Sequence, residues 1–231
     1  MKINVVRSVL EAGEASAAEN RRRLDAAGVV AINVLSAPGS GKTALLESTI
    51  PALGDIRCAV LVGDLQTTRD AERLGPLAAQ VTQINTEGGC HLSPTQVAEA
   101  IKGLSLDGIT FLFIENVGNM VCPAVFDLGE HLRVVLLSTP EGDDKVAKYP
   151  PLFQTADAIL LTKVDLIDVL DYDAARVRED LSRINTAAPL IELSSKTGQG
   201  MDEWLGWLRA QRPGPEDLHA PRGRRDDRGQ D

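Results

Sequence analysis

Apolar runs recur along the chain at residues 29–35, 59–62, 110–114, 134–137, 158–161 and 190–193. Each is short and nearly continuous, the pattern of a strand buried on both faces. Between most of them lie stretches with apolar residues at helical spacing: 43–50, 71–79, 94–101, 173–184 and 201–208. Strands alternating with helices predict an α/β fold, a parallel sheet covered on both faces. Ahead of the first run, residues 4–27 predict one long helix. Val5, Val6, Val9 and Leu10 begin its apolar stripe, Arg21, Arg22 and Arg23 read as a solvated face, and Gly28 ends it. From Gln211 the chain holds five Arg, five acidic residues and three Pro, with almost nothing to bury. That composition predicts a disordered tail. The expected division is a helix over 1–28, a core domain over 29–210 and the tail over 211–231.

Composition narrows the function. The 231 residues are enough for a sizeable core. A formal charge of −9 lacks the basic footprint of a nucleic-acid binder or a membrane-surface protein. Aromatics at 3% leave no stacking platform for single strands. No apolar run approaches the roughly 18 residues of a membrane span. The first apolar stretch, 3–10, is broken by Arg7 and followed by Glu11, unlike a signal peptide. Three cysteines suit a reducing compartment. The expectation is a cytoplasmic protein with no nucleic-acid or membrane partner.

The first strand runs into Ser36-Ala37-Pro38-Gly39-Ser40-Gly41-Lys42-Thr43. This is nearly the G-x-x-x-x-G-K-[ST] phosphate loop, with Ser36 in the place of the first Gly, and its strand–loop–helix context is the confirming one. The loop of Pro38, Gly39, Ser40 and Gly41 wraps the phosphates, with the backbone N–H groups of Gly39, Ser40 and Gly41 aimed at them. Lys42 neutralises the β- and γ-phosphates, and the Thr43 hydroxyl holds Mg²⁺. The next two strands deliver carboxylates: Asp64, with Asp70 beyond it, and Glu115. Ligands of open α/β sheets sit beyond the carboxyl ends of strands. Glu115 fits the acidic residue that holds Mg²⁺ or its water shell. Asp64 and Asp70 compete for the second carboxylate, and Gly118 suits a γ-phosphate-sensing loop.

Base choice reads from Thr162-Lys163-Val164-Asp165, similar to the N-K-x-D element of GTPases. Asp165 accepts two hydrogen bonds from guanine, and an adenine leaves it unpaired. Ser194-Ser195-Lys196 resembles the S-A-K element that backs the base. A metabolic kinase would use the same phosphate loop, but no acceptor base is visible. Two cysteines and a histidine remain. Gly88-Gly89-Cys90-His91-Leu92 precedes a helix near Pro94, and Val121-Cys122-Pro123 follows the Glu115 loop. Two thiolates and an imidazole suit Ni²⁺, Zn²⁺ or Cu, although by spacing alone a Cys-His pair is more often buried or structural. Cys58 reads as core; for His131 and His219 the sequence pattern alone suggests no role.

Together these segments resemble the GTPases that insert nickel during nickel–iron hydrogenase maturation, the HypB type. The residues that carry the resemblance are 36–43, Gly63-Asp64 with Gln66-Thr67 and Asp70, Gly88-Gly89-Cys90-His91-Leu92, Glu115-Asn116-Val117-Gly118-Asn119-Met120-Val121-Cys122-Pro123, Lys148-Tyr149-Pro150 and Thr162-Lys163-Val164-Asp165-Leu166. It covers about residues 1–210. The resemblance implies a mostly parallel seven-stranded P-loop GTPase fold, SIMIBI-like, working with GTP/GDP, Mg²⁺ and Ni²⁺ or Zn²⁺. It implies a GTP-dependent homodimer with Cys90, His91 and Cys122 as the metal site and Lys148 reaching across. Its implied partners are a nickel-donating maturation chaperone and the hydrogenase large subunit. The alternatives are nickel delivery to urease, service to another metalloenzyme, or a metal-binding module without coupled turnover. The chain shows neither an N-terminal Cys motif nor a His-rich stretch that would store nickel.

Overall fold

The computed structural model describes residues 2–64, 67–86 and 88–212, with side chains from residue 12 onward. Leu65, Gln66, His219 and the predicted tail from residue 213 on lie outside the described residues. In chain order the elements are α1 (Lys2–Ala26), β1 (Val30–Ser36), α2 (Lys42–Ala52), β2 (Cys58–Asp64), α3 (Arg69–Leu74), β3 (Gln80–Asn85), α4 (Pro94–Lys102), β4 (Phe111–Glu115), β5 (Leu132–Ser138), α5 (Lys145–Lys148), α6 (Pro150–Gln154), β6 (Ala158–Thr162), α7 (Ile167–Leu170), α8 (Ala174–Ile184), β7 (Leu190–Leu193) and α9 (Met201–Ala210). The seven strands form one sheet in the order β3-β2-β4-β1-β5-β6-β7, and every pairing is parallel.

Alternation along each central strand sends side chains to the two faces of the sheet, where they join three apolar clusters. Val30, Ile32 and Val34 of β1 pack with Leu45 and Leu46 of α2 and Trp204 and Leu208 of α9. Ala31 points the other way, to Leu24 of α1 and Val97 and Ile101 of α4. Leu35 joins Leu152 and Phe153 of α6 and Val177 of α8. Continuous apolar runs are therefore required, because both faces are covered.

The pattern misses one strand and overextends one helix. β3 (Gln80–Asn85) has only Val81 and Ile84 as apolar residues. It is an edge strand, mostly half-buried, so polar side chains are tolerated and the apolar signal is weak. The helix expected over 71–79 is α3, Arg69–Leu74. It stops at Gly75-Pro76, and residues 77–79 lead directly into β3. Cys58 begins β2 and is 2% exposed; burial pushes its thiol up to about 12.

α1 is anchored by polar contacts as well as by Leu24. Asn20 Nδ2 donates to the carbonyls of Pro94 and Leu128, both at 2.9 Å. Arg21 is not simply solvated: its Nε donates to the Gly129 carbonyl at 3.0 Å. His131 also has partners. Its Nδ1 accepts from the Ala31 N–H at 2.9 Å, so the other ring nitrogen carries the proton facing Asp25 at 2.9 Å. Among the described residues no helix is long and apolar enough to cross a membrane.

Candidate functional site

The carboxyl ends of β1, β2, β4, β5 and β6 carry Ser36, Asp64, Glu115, Ser138 and Thr162. Parallel pairing brings them to one edge of the sheet. Glu115 stands opposite both Val34 and Val62, and Ser138 opposite Thr162.

The phosphate loop fills the turn between β1 and α2. Gly39 and Gly41 have φ of +77° and +100°, the left-handed region that side chains disfavour. Gly41 is the N-cap of α2 and supplies no side-chain cap, which leaves the first amides of the helix available to an anion. Lys42 Nζ donates to Ser36 Oγ at 3.0 Å. Burial lowers the pKa of its ammonium, while Glu115, Asp70, Glu141 and Asp64 act in the opposite direction. Thr43 Oγ1 donates to Glu115 Oε1 at 2.7 Å. Glu115 is 3% exposed, its Oε2 is buried without a partner, and burial raises its carboxyl to about 7. An orphaned carboxylate oxygen beside a threonine hydroxyl suits a hard divalent cation such as Mg²⁺.

The two remaining carboxylates are not equivalent. Asp64 takes the Thr67 hydroxyl at 2.7 Å. Asp70 opens α3, pairs with Arg73 at 3.2 Å, and acts on both Lys42 and Glu115. Asp64 acts on Lys42 as the weakest of its four acidic neighbours.

Neighbouring loops grip the phosphate loop. A Cβ at Gly118 would lie 2.8 Å from Pro38 Cα, so the loop after β4 lies directly against the phosphate loop. Thr162, which stands where GTPases have Asn, donates to the Ser40 carbonyl at 2.8 Å. Lys163, at φ +60°, donates to the Gly39 carbonyl at 2.7 Å, and Thr139 Oγ1 holds the Lys163 carbonyl at 2.9 Å. Asp165 follows in a single turn of 3₁₀ helix and is half-buried. Ser195 is half-buried and Lys196 exposed in the loop after β7, where the Ser194 hydroxyl accepts the Thr197 N–H at 3.3 Å. Lys148 is 58% exposed and pairs with Asp144.

Sequence reading passed over Glu141. Its Oε1 accepts from Ser40 Oγ and, at 2.6 Å, from Ser138 Oγ, while Oε2 is buried without a partner. The local sign, a Ser-x-x-Glu capping box over 138–141, was legible; its reach to the phosphate loop was not.

The structure brings Cys90, His91 and Cys122 together: their ligand atoms all lie within 4.8 Å of one another. Cys90 Sγ is 3.5 Å from His91 Nδ1. The His91 ring stacks on Phe126 with centroids 4.2 Å apart, and burial lowers its pKa. The Cys90 side chain alongside holds the Cys122 thiol above its usual range. The Asn119 side chain accepts the N–H groups of Val121 and Cys122 at 2.8 and 3.3 Å, which fixes the turn that presents Cys122. Two sulfurs and an imidazole on a half-exposed surface fit a borderline or soft divalent ion.

The sheet order, the loop and its flanking carboxylates define a P-loop nucleotide-binding protein of the SIMIBI class. A family model described as CobW/HypB/UreG, nucleotide-binding domain, matches residues 30–192. A hydrogenase maturation factor HypB of Azotobacter chroococcum mcd 1 is 45% identical over 91% of this chain and 69% of its own length. The HypB of Escherichia coli K12 is 45% identical over 88% and 71%. The crystal structure of Helicobacter pylori HypB in complex with nickel superposes with a TM-score of 0.83 at 39% identity, covering 86% of this chain and 94% of that one. FtsY of Mycoplasma mycoides, at 13% identity and a TM-score of 0.52, shares the fold. The chain belongs to the HypB family of hydrogenase maturation factors.

Proposed function

We propose that this chain is a GTP-hydrolysing metallochaperone that inserts nickel during nickel–iron hydrogenase maturation. The observation that carries the reading is the cluster of Cys90, His91 and Cys122 within 4.8 Å, one arm following β4 directly and the other leading into α4. The nickel-bound Helicobacter pylori relative supports nickel as the cargo; zinc satisfies the same donors.

In this reading the backbone of 38–41 and Lys42 bind the phosphates. Thr43 and Glu115 hold Mg²⁺, which offsets charge developing on the phosphates. Asp70 is the second carboxylate, favoured over Asp64 by its action on both Lys42 and Glu115. Asp165 accepts the N1–H and 2-amino groups of guanine, and Ser195 and Lys196 back the base. Thr162 supports this by joining the base loop to the phosphate loop. Hydrolysis releases the loops that lead to Cys90 and Cys122, as in other γ-phosphate switches. With no activating group in trans, turnover is slow, well under about 1 s⁻¹. The working form is a GTP-dependent homodimer in the cytoplasm. A nickel-donating chaperone loads it, and the hydrogenase large subunit receives the metal.

A second acceptor has one observation behind it. A Helicobacter hepaticus relative, 41% identical over 91% of this chain and 88% of its own, is called a hydrogenase/urease maturation factor.

The test is a Ni²⁺ titration by calorimetry on protein loaded with GDP or with a non-hydrolysable GTP analogue, beside a phosphate-release assay with GTP and ATP. The expected results are a nucleotide-dependent affinity, lost in Cys90→Ser and Cys122→Ser, and GTP-selective turnover, lost in Lys42→Ala. Normal turnover in Lys42→Ala, or identical nickel binding in both states, would overturn the reading.

A further inference from the structure

A chain of buried polar groups lies behind the Cys/His cluster, and the chemistry proposed above makes no use of it. Asn33 sits in the middle of β1, a strand otherwise apolar up to Ser36, and is fully buried. Its Oδ1 accepts from Asn116 Nδ2 at 3.2 Å, and its Nδ2 donates to Glu130 Oε1 at 3.4 Å. Asn116 Oδ1 accepts the N–H of Val117 at 2.9 Å and the N–H of Leu92 at 3.1 Å. Leu92 directly follows His91. On the other side, Arg133 Nε donates to Glu130, and its remaining nitrogens hold the carbonyls of Ala124 at 3.1 Å and Phe126 at 2.9 Å. Phe126 carries the ring that stacks on His91. The polar chain therefore begins beside one metal-binding arm and ends on the other.

Such a chain is costly in a core. Two amides and an ion pair give up hydration that apolar packing would not need. In exchange they fix direction: a hydrogen bond demands an angle, where an apolar contact tolerates sliding. The placement of Asn116 gives that direction a use. It is the next residue after Glu115, whose carboxylate takes the Thr43 hydroxyl. Its backbone N–H is fastened to the Val34 carbonyl at 3.2 Å, in the strand that feeds the phosphate loop. A change at Glu115 therefore acts on the backbone that carries Asn116, and Asn116 holds the segment that carries Cys90 and His91.

We infer that Asn116, braced by Asn33, is a positioning residue that ties the Cys90–His91 segment to the Glu115 end of β4 and passes the nucleotide state to the metal ligands. This rests on the GTP-coupled nickel reading above.

The test uses the full chain loaded with GDP or with a non-hydrolysable GTP analogue. Nickel affinity is read by competition with a chromophoric chelator, and cysteine ligation by thiolate-to-nickel absorption. Wild type is expected to differ between the two states by at least about fivefold, and Asn116→Ala to narrow this to within about twofold. Thiolate absorption persists in Asn116→Ala, and both nucleotides bind it as they bind wild type. Trp204→Phe is the control. It removes the bond from Trp204 Nε1 to Thr49 on the opposite face of the sheet and keeps the wild-type ratio. Where Asn116→Ala fails to fold, Asn33→Ala gives the same reading, because it strips the brace and leaves both bonds that Asn116 accepts. A wild-type ratio retained in the variant overturns this inference and leaves the coupled reading standing. Equal nickel affinity in the two states of wild type overturns that reading and this inference with it.

Discussion

Glu115 shows how one carboxyl acquires its chemistry from its place in the sheet. At the end of a central strand, burial outweighs the Thr43 hydrogen bond and the Lys42 charge and raises the group to about 7. A cation there binds the carboxylate form, so below pH 7 binding must displace a proton. The sign follows: apparent Mg²⁺ affinity of nucleotide-loaded protein falls as pH falls, approaching tenfold per pH unit well below the pKa. Glu115→Gln removes the proton and should flatten the profile by about one proton relative to wild type, since the nucleotide's own titration is common to both. Magnesium titrations from pH 8 to pH 5.5 on both proteins read this directly. Parallel profiles would take Glu115 out of the cation site. Its position at a strand end was legible in the sequence, because it closes a short continuous apolar run. Its raised pKa was not, because that depends on burial by β1 and β2, which flank it from distant parts of the chain.

At the level of elements, legibility followed sequence distance. Residues 36–43 are contiguous, so strand, glycine turn and helix start could be read together. The loops that grip them come from far along the chain: Glu141, Thr162 and Lys163 contact Ser40 and Gly39, and no local pattern announces those contacts. β3 escaped for a related reason. An edge strand has one neighbour and can carry Gln and Thr where a central strand needs Val or Leu. Gly118 offers a test of how tightly the loops fit. It has no left-handed φ, so alanine meets no backbone penalty there. The new Cβ would instead lie 2.8 Å from Pro38 Cα and 2.9 Å from its nitrogen, and backbone atoms cannot rotate aside. The loop after β4 must then part from the phosphate loop. Gly118→Ala should cost about 1–3 kcal/mol of stability, as overpacking does. It should weaken binding of a GTP analogue more than of GDP, because the proposed role of this loop is at the γ-phosphate. Thermal melts and nucleotide titrations check both, and equal losses for the two nucleotides would remove Gly118 from γ-phosphate sensing.

For the whole molecule, the proposed homodimer must overcome charge. Each chain carries a formal −9, so two copies repel at low ionic strength. Apolar contact has to supply the association. Val121 and Val125 are 59% and 77% exposed on either side of Cys122, an unusual expense of apolar surface beside a thiol cluster. Three ligands also leave a tetrahedral or square-planar ion one position short. In the proposed dimer, a second copy docking on this face would cover the valines and bring further donors near the metal. The loop that presents them follows Gly118, so the proposed γ-phosphate sensor sets their position. Sedimentation velocity should therefore find monomer with GDP and dimer with a non-hydrolysable GTP analogue. Added salt should strengthen the dimer, because screening weakens the repulsion while leaving the apolar contact intact. Val125→Asp should return the analogue-loaded protein to monomer and leave nucleotide affinity unchanged. A dimer that salt dissociates would mean that ion pairs rather than the Val121–Val125 face hold it, and a monomer in both nucleotide states would remove dimerisation from the mechanism.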